Sequence, residues 1–77
     1  MGENLKLMRE KRELSQAELA RIAHISVRTI QHYEQNTCNI DGANIKTLAK
    51  LANALQCGIT DILEDPELIE RLKVTKL

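Results

Sequence analysis

The sequence predicts a small all-α protein, and three observations support that fold class. No stretch alternates polar and apolar residues over enough Val, Ile or aromatic positions to indicate a strand. Apolar residues instead recur at spacings of three and four, which is typical of amphipathic helices. The 77 residues include one proline and three glycines, so most of the chain is free of helix breakers. The core must be aliphatic, because the chain has eleven Leu, eight Ile and seven Ala but one Tyr and no Phe or Trp.

The first two helices are predicted from their starts and ends. The first runs from Asn4 to about Glu13. Ser15 begins the second, because it stands three residues before Glu18 in the spacing of a capping box. In that arrangement the serine hydroxyl accepts from a backbone N–H, and the glutamate accepts from the backbone N–H of the serine. The second helix ends after two turns, near His24.

The remaining helices are marked by the same kinds of residue. Ser26 is a good N-cap for a third helix over residues 27–35, so about three residues join it to the second. Asn44 is predicted to cap a fourth helix that Gly58 ends. Pro66 is predicted to begin a final helical segment.

Two short helices joined by a tight turn form a helix-turn-helix arrangement. Such a pair suits DNA, because the first helix can cross the phosphate backbone while the second enters the major groove, which is about 12 Å wide. Along residues 27–35, one face is a polar stripe without an acid, formed by Arg28, Gln31, His32 and Gln35. A solvated outer helix face gives the same pattern, so both interpretations stay open at this point.

The acid on this third helix is predicted to point inward. Glu34 lies about 40° from Ile30 around a helix, on the side that faces the core. A buried carboxylate needs a partner, or its desolvation costs several kcal/mol. Arg9 in the first helix is the candidate, and an Arg9–Glu34 ion pair would hold the first helix against the third. This is a structural role rather than a catalytic one.

Residues 14–36 resemble the helix-turn-helix of the Xre family, which includes the phage lambda-type repressors and the Cro proteins. The run is LSQAELARIAHISVRTIQHYEQN. Within this run, the positions that match the family are Leu14-Ser15-Gln16, Leu19-Ala20, Ser26, Thr29-Ile30 and Glu34. Outside it, the matching positions are Arg9, Leu48, Leu51, Ala52, Leu55 and the segment 59–63. The resemblance covers residues 4–64. It implies a compact five-helix lambda-repressor-like DNA-binding domain over residues 1–64, with the helix-turn-helix at about 16–35 and the recognition helix at about 27–35. Residues 65–77, called the tail below, are expected to form a short C-terminal helical extension.

The resemblance also implies the DNA-contacting residues. Base contacts are implied for Val27, Arg28 and His32, with Gln31 beside them. Arg28 can donate two hydrogen bonds to a guanine, and Val27 suits a thymine methyl. Phosphate contacts are implied for Gln16, Ser26, Thr29, Asn36 and Thr37. Gln16 is also expected to support the recognition helix, while Ser26 has an alternative role as N-cap and Thr29 can hydrogen-bond within its own helix.

Three departures from the family pattern carry expectations of their own. Asn36 and Ala43 stand where the family commonly has glycine and proline, and their separation makes this loop about three residues longer. Glu13 replaces a small residue or glycine at the end of the first helix, so that turn is expected to differ. The net charge is zero, with eleven basic and eleven acidic residues. This balance predicts weak non-specific DNA binding and reliance on a dimer.

Other classes of protein are disfavoured. The chain has no Gly-rich phosphate loop or Ser/His/Asp set, so an enzyme is not expected, and no cofactor is implied. The spacings of His24, His32, Cys38 and Cys57 match no zinc pattern, and Cys57 suits a small apolar helix residue. No apolar run is long enough to span a membrane. Two cysteines are too few for a disulfide scaffold, which favours a reduced, cytoplasmic protein.

The sequence therefore predicts a sequence-specific double-stranded-DNA-binding protein, a small transcriptional regulator. A homodimer is expected, with the apolar stripe of Leu63, Leu68, Ile69 and Leu72 as either a dimer contact or a cover for the core. The alternative is a protein-interaction module, antitoxin-like or an adaptor, in which DNA binding is secondary. In either case a regulatory protein partner is a possible source of control.

Overall fold

Five α-helices make up most of the described chain, residues 3–35 and 37–74 of a computed structural model. They are α1 (Glu3–Lys11), α2 (Gln16–Ala23), α3 (Val27–Glu34), α4 (Ile45–Leu55) and α5 (Pro66–Val74). A 3₁₀ turn precedes α4 at Ile40–Gly42 and another follows it at Ile59–Asp61. The described residues contain no strand, so the all-α fold class is confirmed. Residues 59–63, which the family resemblance aligns with the fifth helix of the domain, contain a single 3₁₀ turn over Ile59–Asp61 rather than an α-helix.

The core is aliphatic, as the composition predicts. Helices α1 to α4 and both 3₁₀ turns surround it, and α5 covers one side. The largest fully buried side chains are Leu5, Leu19, Ile30, Ile40, Leu51, Leu55, Ile62 and Leu63. Each helix contributes at least one core residue or a half-buried neighbour, and α3 packs mainly on α1 and α2.

The three predicted N-caps are confirmed. At α2, the Ser15 hydroxyl accepts from the Glu18 N–H at 3.0 Å, and the Glu18 carboxylate accepts from the Ser15 N–H at 2.7 Å. At α3, the Ser26 hydroxyl accepts from the Thr29 N–H at 3.1 Å. Asn44 caps α4 through its side-chain oxygen at 2.8 Å. These caps join residues three positions apart, which is why the sequence alone predicts them.

The predicted ends of the first and fourth helices need correction. Helix α1 ends at Lys11, and Glu13 adopts a left-handed conformation with φ 56°. Gly58 does not end the fourth helix, because α4 stops at Leu55 and Gln56 takes the left-handed position with φ 55°. In both turns a residue other than glycine adopts the conformation that glycine usually provides at helix ends.

Cys57 also lies elsewhere than expected. It follows α4 in a turn rather than within a helix, and it is half-buried against the core. Burial raises the pKa of its thiol above the ordinary value. The apolar role predicted for Cys57 fits this position, but the helical placement was wrong.

The tail is attached to the core. Leu68 and Ile69 of α5 pack against the core cluster, while Leu72 is 44% exposed. Just before α5, the Asp41 carboxylate accepts from the backbone N–H groups of Glu64 and Asp65 at 2.8 and 3.1 Å. Part of the predicted apolar stripe therefore covers the core. None of the helices described is both long enough and apolar enough to cross a membrane.

Candidate nucleic-acid interface

Helices α2 and α3 and the turn between them form a helix-turn-helix unit. Each helix has eight residues, and His24, Ile25 and Ser26 connect them. His24 adopts a left-handed conformation with φ 60°, and the Ile25 N–H donates to the Ala20 carbonyl at 3.1 Å. This bond closes the C-terminus of α2, after which the Ser26 cap begins α3. The chain therefore changes direction within three residues.

Helix α3 has a buried face and an exposed face. Ile30 is fully buried, and Tyr33 is half-buried against the core, where burial raises the pKa of its phenol. The opposite face carries the predicted polar stripe, in which Gln31 is partly exposed and the others are exposed: Arg28, His32 and Gln35. The exposed face thus presents hydrogen-bonding groups and no carboxylate.

Val27 is an exposed apolar residue at the start of this face, with 38% of its surface accessible. It stands next to Arg28 at the first turn of α3. An aliphatic side chain and a guanidinium are therefore both exposed at the N-terminal end of the helix, the end that contacts base edges in a helix-turn-helix. The base-contacting roles predicted for Val27, Arg28, Gln31 and His32 stay predictions.

The predicted ion pair between α1 and α3 is present. Arg9 Nε donates to one oxygen of Glu34 at 2.8 Å and Nη2 donates to the other at 3.1 Å. Both side chains are buried, with 11% of Arg9 and 4% of Glu34 exposed. The hydrogen bond to Glu34 raises the pKa of Arg9 against the opposing effect of burial. A planar guanidinium is suited to such a two-point contact.

Two further contacts complete this network. Gln16 Nε2 donates to the same Glu34 carboxylate at 2.9 Å, and Arg9 Nη1 donates to the Leu14 carbonyl at 2.7 Å. Helix α3 is therefore attached to α1 and to the start of α2 through one carboxylate. The supporting contact expected of Gln16 is observed, whereas its phosphate contact stays a prediction.

Ser26 and Thr29 are engaged with each other. Their hydroxyls lie 2.9 Å apart, in addition to the capping bond from the Thr29 N–H to Ser26. The alternative role of Ser26 as N-cap is therefore observed, and Thr29 contacts the cap residue. Both side chains stand at the N-terminus of α3, where the helix dipole and free N–H groups favour an anion. Their phosphate contacts stay predictions.

Thr37 is turned toward the end of α3. Its hydroxyl lies 2.8 Å from Nδ1 of His32 and 3.1 Å from the His32 carbonyl oxygen. That carbonyl also accepts from the backbone N–H groups of Thr37 and Cys38, at 3.0 and 3.2 Å. No sequence pattern predicts this cluster, because it depends on the path of the loop after α3. Asn36, the other loop residue expected to contact phosphate, lies outside the described residues.

The longer loop before α4 contains the first 3₁₀ turn. Asn39 caps it by accepting from the Asp41 N–H at 3.0 Å, and Ile40 inserts into the core with 2% of its surface exposed. The extra residues therefore form a short ordered turn with its own core contact. Asp41 of this turn accepts the two N–H groups that precede α5, so the loop also helps position the tail.

Two of the basic residues near the N-terminus have structural roles. Arg9 is buried, and Arg12 donates from Nε to the Leu55 carbonyl at 2.9 Å and from Nη2 to the Gln56 carbonyl at 3.2 Å. A cation at the C-terminus of α4 is favourable because the last carbonyls lack helical partners. Sequence reasoning missed this role of Arg12, because the contact spans more than forty residues. Fewer basic side chains are therefore available to DNA than the sequence count indicates.

In residues 3–35 and 37–74, no three His, Cys, Asp or Glu side chains are grouped so as to hold a metal ion. Cys38 is exposed and Cys57 is half-buried, and both are free thiols.

Comparison with known proteins agrees with this geometry. A helix-turn-helix family model matches residues 5–62, which is most of the 77-residue chain. No significant match to a curated protein is found. The matched range includes α1, the helix-turn-helix unit and α4, and it ends among the core residues that follow the second 3₁₀ turn. The chain therefore belongs to the helix-turn-helix family, in the Cro/C1-type or Xre-like group.

Proposed function

We propose that this protein binds double-stranded DNA sequence-specifically, with α3 in the major groove, and acts as a small transcriptional regulator. The observation that carries the proposal is the contrast between the two faces of α3. Its inner face is attached to α1 and α2 through the buried Glu34, while its outer face presents polar side chains and no acid. A rigidly held helix with a donor-rich face is what direct contact with base edges requires.

The base contacts are assigned to the exposed residues of α3. Arg28 is the strongest candidate, because a guanidinium can donate to both O6 and N7 of one guanine. Val27 would contact a thymine methyl at an adjacent position. Gln31 and His32 would contact bases one turn further along the helix.

The phosphate contacts are assigned to the ends of the helix-turn-helix unit. Gln16 has a second amide hydrogen besides the one that it donates to Glu34, so it can bind a phosphate and support α3 at once. Ser26 and Thr29 stand at the N-terminus of α3, where backbone N–H groups favour an anion. Phosphate contacts fix the orientation of the protein on the duplex and carry no sequence information directly.

We further propose that the active species is a homodimer formed through α5. With zero net charge, with Arg9 buried in an ion pair and with Arg12 bonded to carbonyls at the end of α4, a single domain would make few phosphate contacts. Two copies on one duplex would double those contacts and contact two half-sites about 34–36 Å apart. The same neutral charge also favours the alternative function, a protein-interaction module in which DNA is a secondary ligand.

Selection of duplexes from a random DNA pool at moderate salt, followed by sequencing, tests these proposals. Two inverted half-sites about ten base pairs apart would support both specific binding and the dimer. A single half-site would support DNA binding and contradict the dimer. No enriched motif, with binding that disappears as salt rises, would contradict the proposal and favour the protein-interaction module.

A double variant of the outer face tests whether α3 is the element that contacts the bases. Arg28→Ala combined with His32→Ala removes two exposed side chains from the outer face and leaves Ile30 and Glu34 in place. The variant is expected to fold normally and to recover a weakened or degenerate motif. An identical motif from the variant would show that α3 is not the element that contacts the bases.

A further inference from the structure

Two contacts between Thr37 and His32 determine where their hydrogens lie. The Thr37 hydroxyl is 3.1 Å from the His32 carbonyl oxygen, which can only accept, so the hydroxyl donates its single hydrogen there. The same hydroxyl oxygen lies 2.8 Å from Nδ1 of the His32 ring, and at this second contact Nδ1 donates. This is the one arrangement in which both contacts are hydrogen bonds. If the hydroxyl hydrogen pointed to Nδ1, two oxygens would lie 3.1 Å apart with no hydrogen between them.

The backbone holds this hydroxyl in place. The N–H groups of Thr37 and Cys38 donate to the same His32 carbonyl at 3.0 and 3.2 Å. Thr37 is therefore attached, through its backbone and its side chain, to the residue whose ring it contacts. The orientation of the His32 ring is thus set from within the protein.

The hydrogen bond to Thr37 determines the form of the imidazole. A neutral imidazole carries one proton, and with that proton on Nδ1 the other nitrogen, Nε2, is an acceptor. His32 is exposed on the outer face of α3, so this acceptor is available to whatever that face contacts. In the major groove, the groups that can donate to it are the amino groups of adenine and cytosine, whereas guanine N7 and O6 and thymine O4 only accept.

We propose that Thr37 is a positioning residue which holds His32 as the Nδ1–H tautomer, so that Nε2 accepts a hydrogen bond from the amino group of an adenine or a cytosine. The inference rests on the proposed function. An imidazole free to exchange its proton between the two nitrogens could bond a donor or an acceptor on a base edge. The contact with Thr37 removes that freedom and makes the position selective.

The outer face of α3 then carries two different kinds of group. The Arg28 guanidinium can only donate, which suits the acceptors of guanine. His32 supplies an acceptor one turn further along the helix. Specificity at that second position depends on two residues five positions apart in sequence, of which Thr37 contacts no base.

The tautomer can be measured in the free protein. Long-range proton–nitrogen NMR correlations on ¹⁵N-labelled protein, in a buffer alkaline enough to keep imidazole neutral, distinguish the protonated ring nitrogen from the unprotonated one. His32→Ala identifies the signals that belong to His32. The wild-type protein is expected to show a single form of His32 with the proton on Nδ1. Thr37→Ser keeps the hydroxyl and should give the same spectrum, whereas Thr37→Val removes the hydroxyl and should give a mixture of tautomers.

DNA selection then identifies the base pair that His32 contacts, as the pair that His32→Ala makes degenerate. Wild type and Thr37→Ser should recover the same motif. Thr37→Val should admit other base pairs at that one position while the remaining positions stay unchanged.

Base analogues at that pair identify the atom that His32 contacts. N6-methyladenine or N4-methylcytosine, whichever replaces the amino-bearing base of the pair, puts a methyl group in place of the amino hydrogen that points into the major groove. This change should weaken wild-type binding severalfold and leave His32→Ala unaffected, and the base at which it acts distinguishes adenine from cytosine. The 7-deaza analogue of the purine in the pair lacks the N7 acceptor and should not weaken the wild-type protein more than His32→Ala.

These measurements fail in different ways. A neutral His32 with its proton on Nε2, or with a mixture of forms in the wild-type protein, overturns the inference whatever DNA is bound. A loss of binding to the 7-deaza duplex that His32→Ala does not share would also overturn it, because His32 would then donate to N7. So would an even loss of affinity at all positions in Thr37→Val, which is the effect of a merely structural role. A fixed Nδ1–H tautomer in a protein that enriches no DNA motif would instead contradict the proposed function and leave the histidine assignment standing.

Discussion

The guanidinium of Arg9 lies inside the protein and uses three of its nitrogens, two on Glu34 and one on the Leu14 carbonyl. Replacing Arg9 by alanine would leave the Glu34 carboxylate buried with the Gln16 amide as its remaining partner in this network. Breaking a buried ion pair from one side typically costs about 3–5 kcal/mol. Arg9→Ala is therefore expected to lower the free energy of unfolding by about 3 kcal/mol, measured by urea denaturation.

The control for this prediction is Lys11→Ala. Lys11 belongs to the same helix but is exposed, so its removal should change the free energy of unfolding by less than about 0.5 kcal/mol. Equal denaturation midpoints for Arg9→Ala and the wild-type protein would show that the ion pair does not stabilise the fold.

Arg28 differs from Arg9 because it is exposed and its proposed role is outside the fold. Arg28→Ala is expected to weaken binding to the selected duplex by about 1–3 kcal/mol and to relax the preference at one base position. The free energy of unfolding should not change. Arg71→Ala removes the same charge from exposed α5 and should leave the base preferences intact. Fluorescence anisotropy on duplexes with single-base changes measures both effects, and unchanged preferences would remove Arg28 from the base-contacting set.

Individual side-chain contacts show what can be predicted from the sequence and what cannot. The Arg9–Glu34 pair follows from helical geometry, because an inward carboxylate on α3 requires a cation and the first helix supplies one. The contact of Arg12 with the end of α4 and the contact of Thr37 with His32 cannot be predicted from the helical periodicity of the sequence. Each depends on how a turn places two segments, and turn paths are set by tertiary packing rather than by local pattern.

The starts of the helices can be predicted from the sequence more accurately than their ends. The starts of α2, α3 and α4 carry side-chain caps, which are chemically distinctive and therefore predictable. The ends of α2 and α4, and the turn after α1, place His24, Gln56 and Glu13 in the left-handed conformation. Glycine is the usual signal for that conformation, and its absence here explains why the predicted end of the fourth helix was wrong.

The left-handed conformation at Glu13 predicts that a glycine there is stabilising. A side chain with a Cβ atom costs about 1 kcal/mol or more in this conformation, and glycine relieves that strain. Glu13→Gly is expected to raise the free energy of unfolding by about 0.5–1 kcal/mol, after the entropy that glycine adds to the unfolded chain is subtracted. Glu10→Gly makes the same chemical change within α1, where it should lower the free energy of unfolding by about 1 kcal/mol. If Glu13→Gly and Glu10→Gly lower the free energy of unfolding by similar amounts, Glu13 is not strained.

The capping box of α2 predicts a specific dependence of stability on pH. Hydrogen bonds from the backbone and hydroxyl of Ser15 lower the pKa of Glu18 below its ordinary value of 4.5. The pKa of Glu18 is lower in the folded state than in the unfolded state. Its charged carboxylate therefore contributes fully to stability above about pH 4.5, and this contribution is lost as the pH falls through the folded-state pKa. Glu18→Gln keeps a capping partner without the charge. Its melting temperature should therefore fall less steeply than that of the wild-type protein between about pH 5 and pH 3.

Glu70→Gln is the control for this pH effect, since it removes one carboxylate from the exposed surface of α5. Its acid profile should follow that of the wild-type protein. Parallel profiles for Glu18→Gln and the wild-type protein would contradict a role for the Glu18 charge in the stability of α2.

Charge is unevenly distributed over the whole molecule. The segment of residues 60–70 contains five acidic residues and no basic one, and it leads into α5. Helix α3 carries Arg28 and places its one acid inward. A duplex would therefore be attracted to the exposed face of α3 and repelled from residues 60–70. The uneven distribution would orient the protein toward DNA even though the net charge is zero.

The tail provides the last prediction, which concerns assembly. Leu68 and Ile69 face the core, whereas Leu72, one helical turn beyond Leu68, is 44% exposed. If α5 pairs with α5 of a second copy, Leu72 lies at that contact, and a lysine there would place two like charges together. Leu72→Lys is expected to sediment as a monomer and to bind a duplex with two half-sites at least about tenfold more weakly than the wild-type protein, because the second half-site is no longer held at high effective concentration. Binding to an isolated half-site should not change. Leu7→Lys adds the same charge at an exposed leucine of α1 and should leave both assembly and affinity as in the wild-type protein. A dimeric Leu72→Lys variant with unchanged affinity would exclude α5 as the dimer contact and leave its role as a cover for the core.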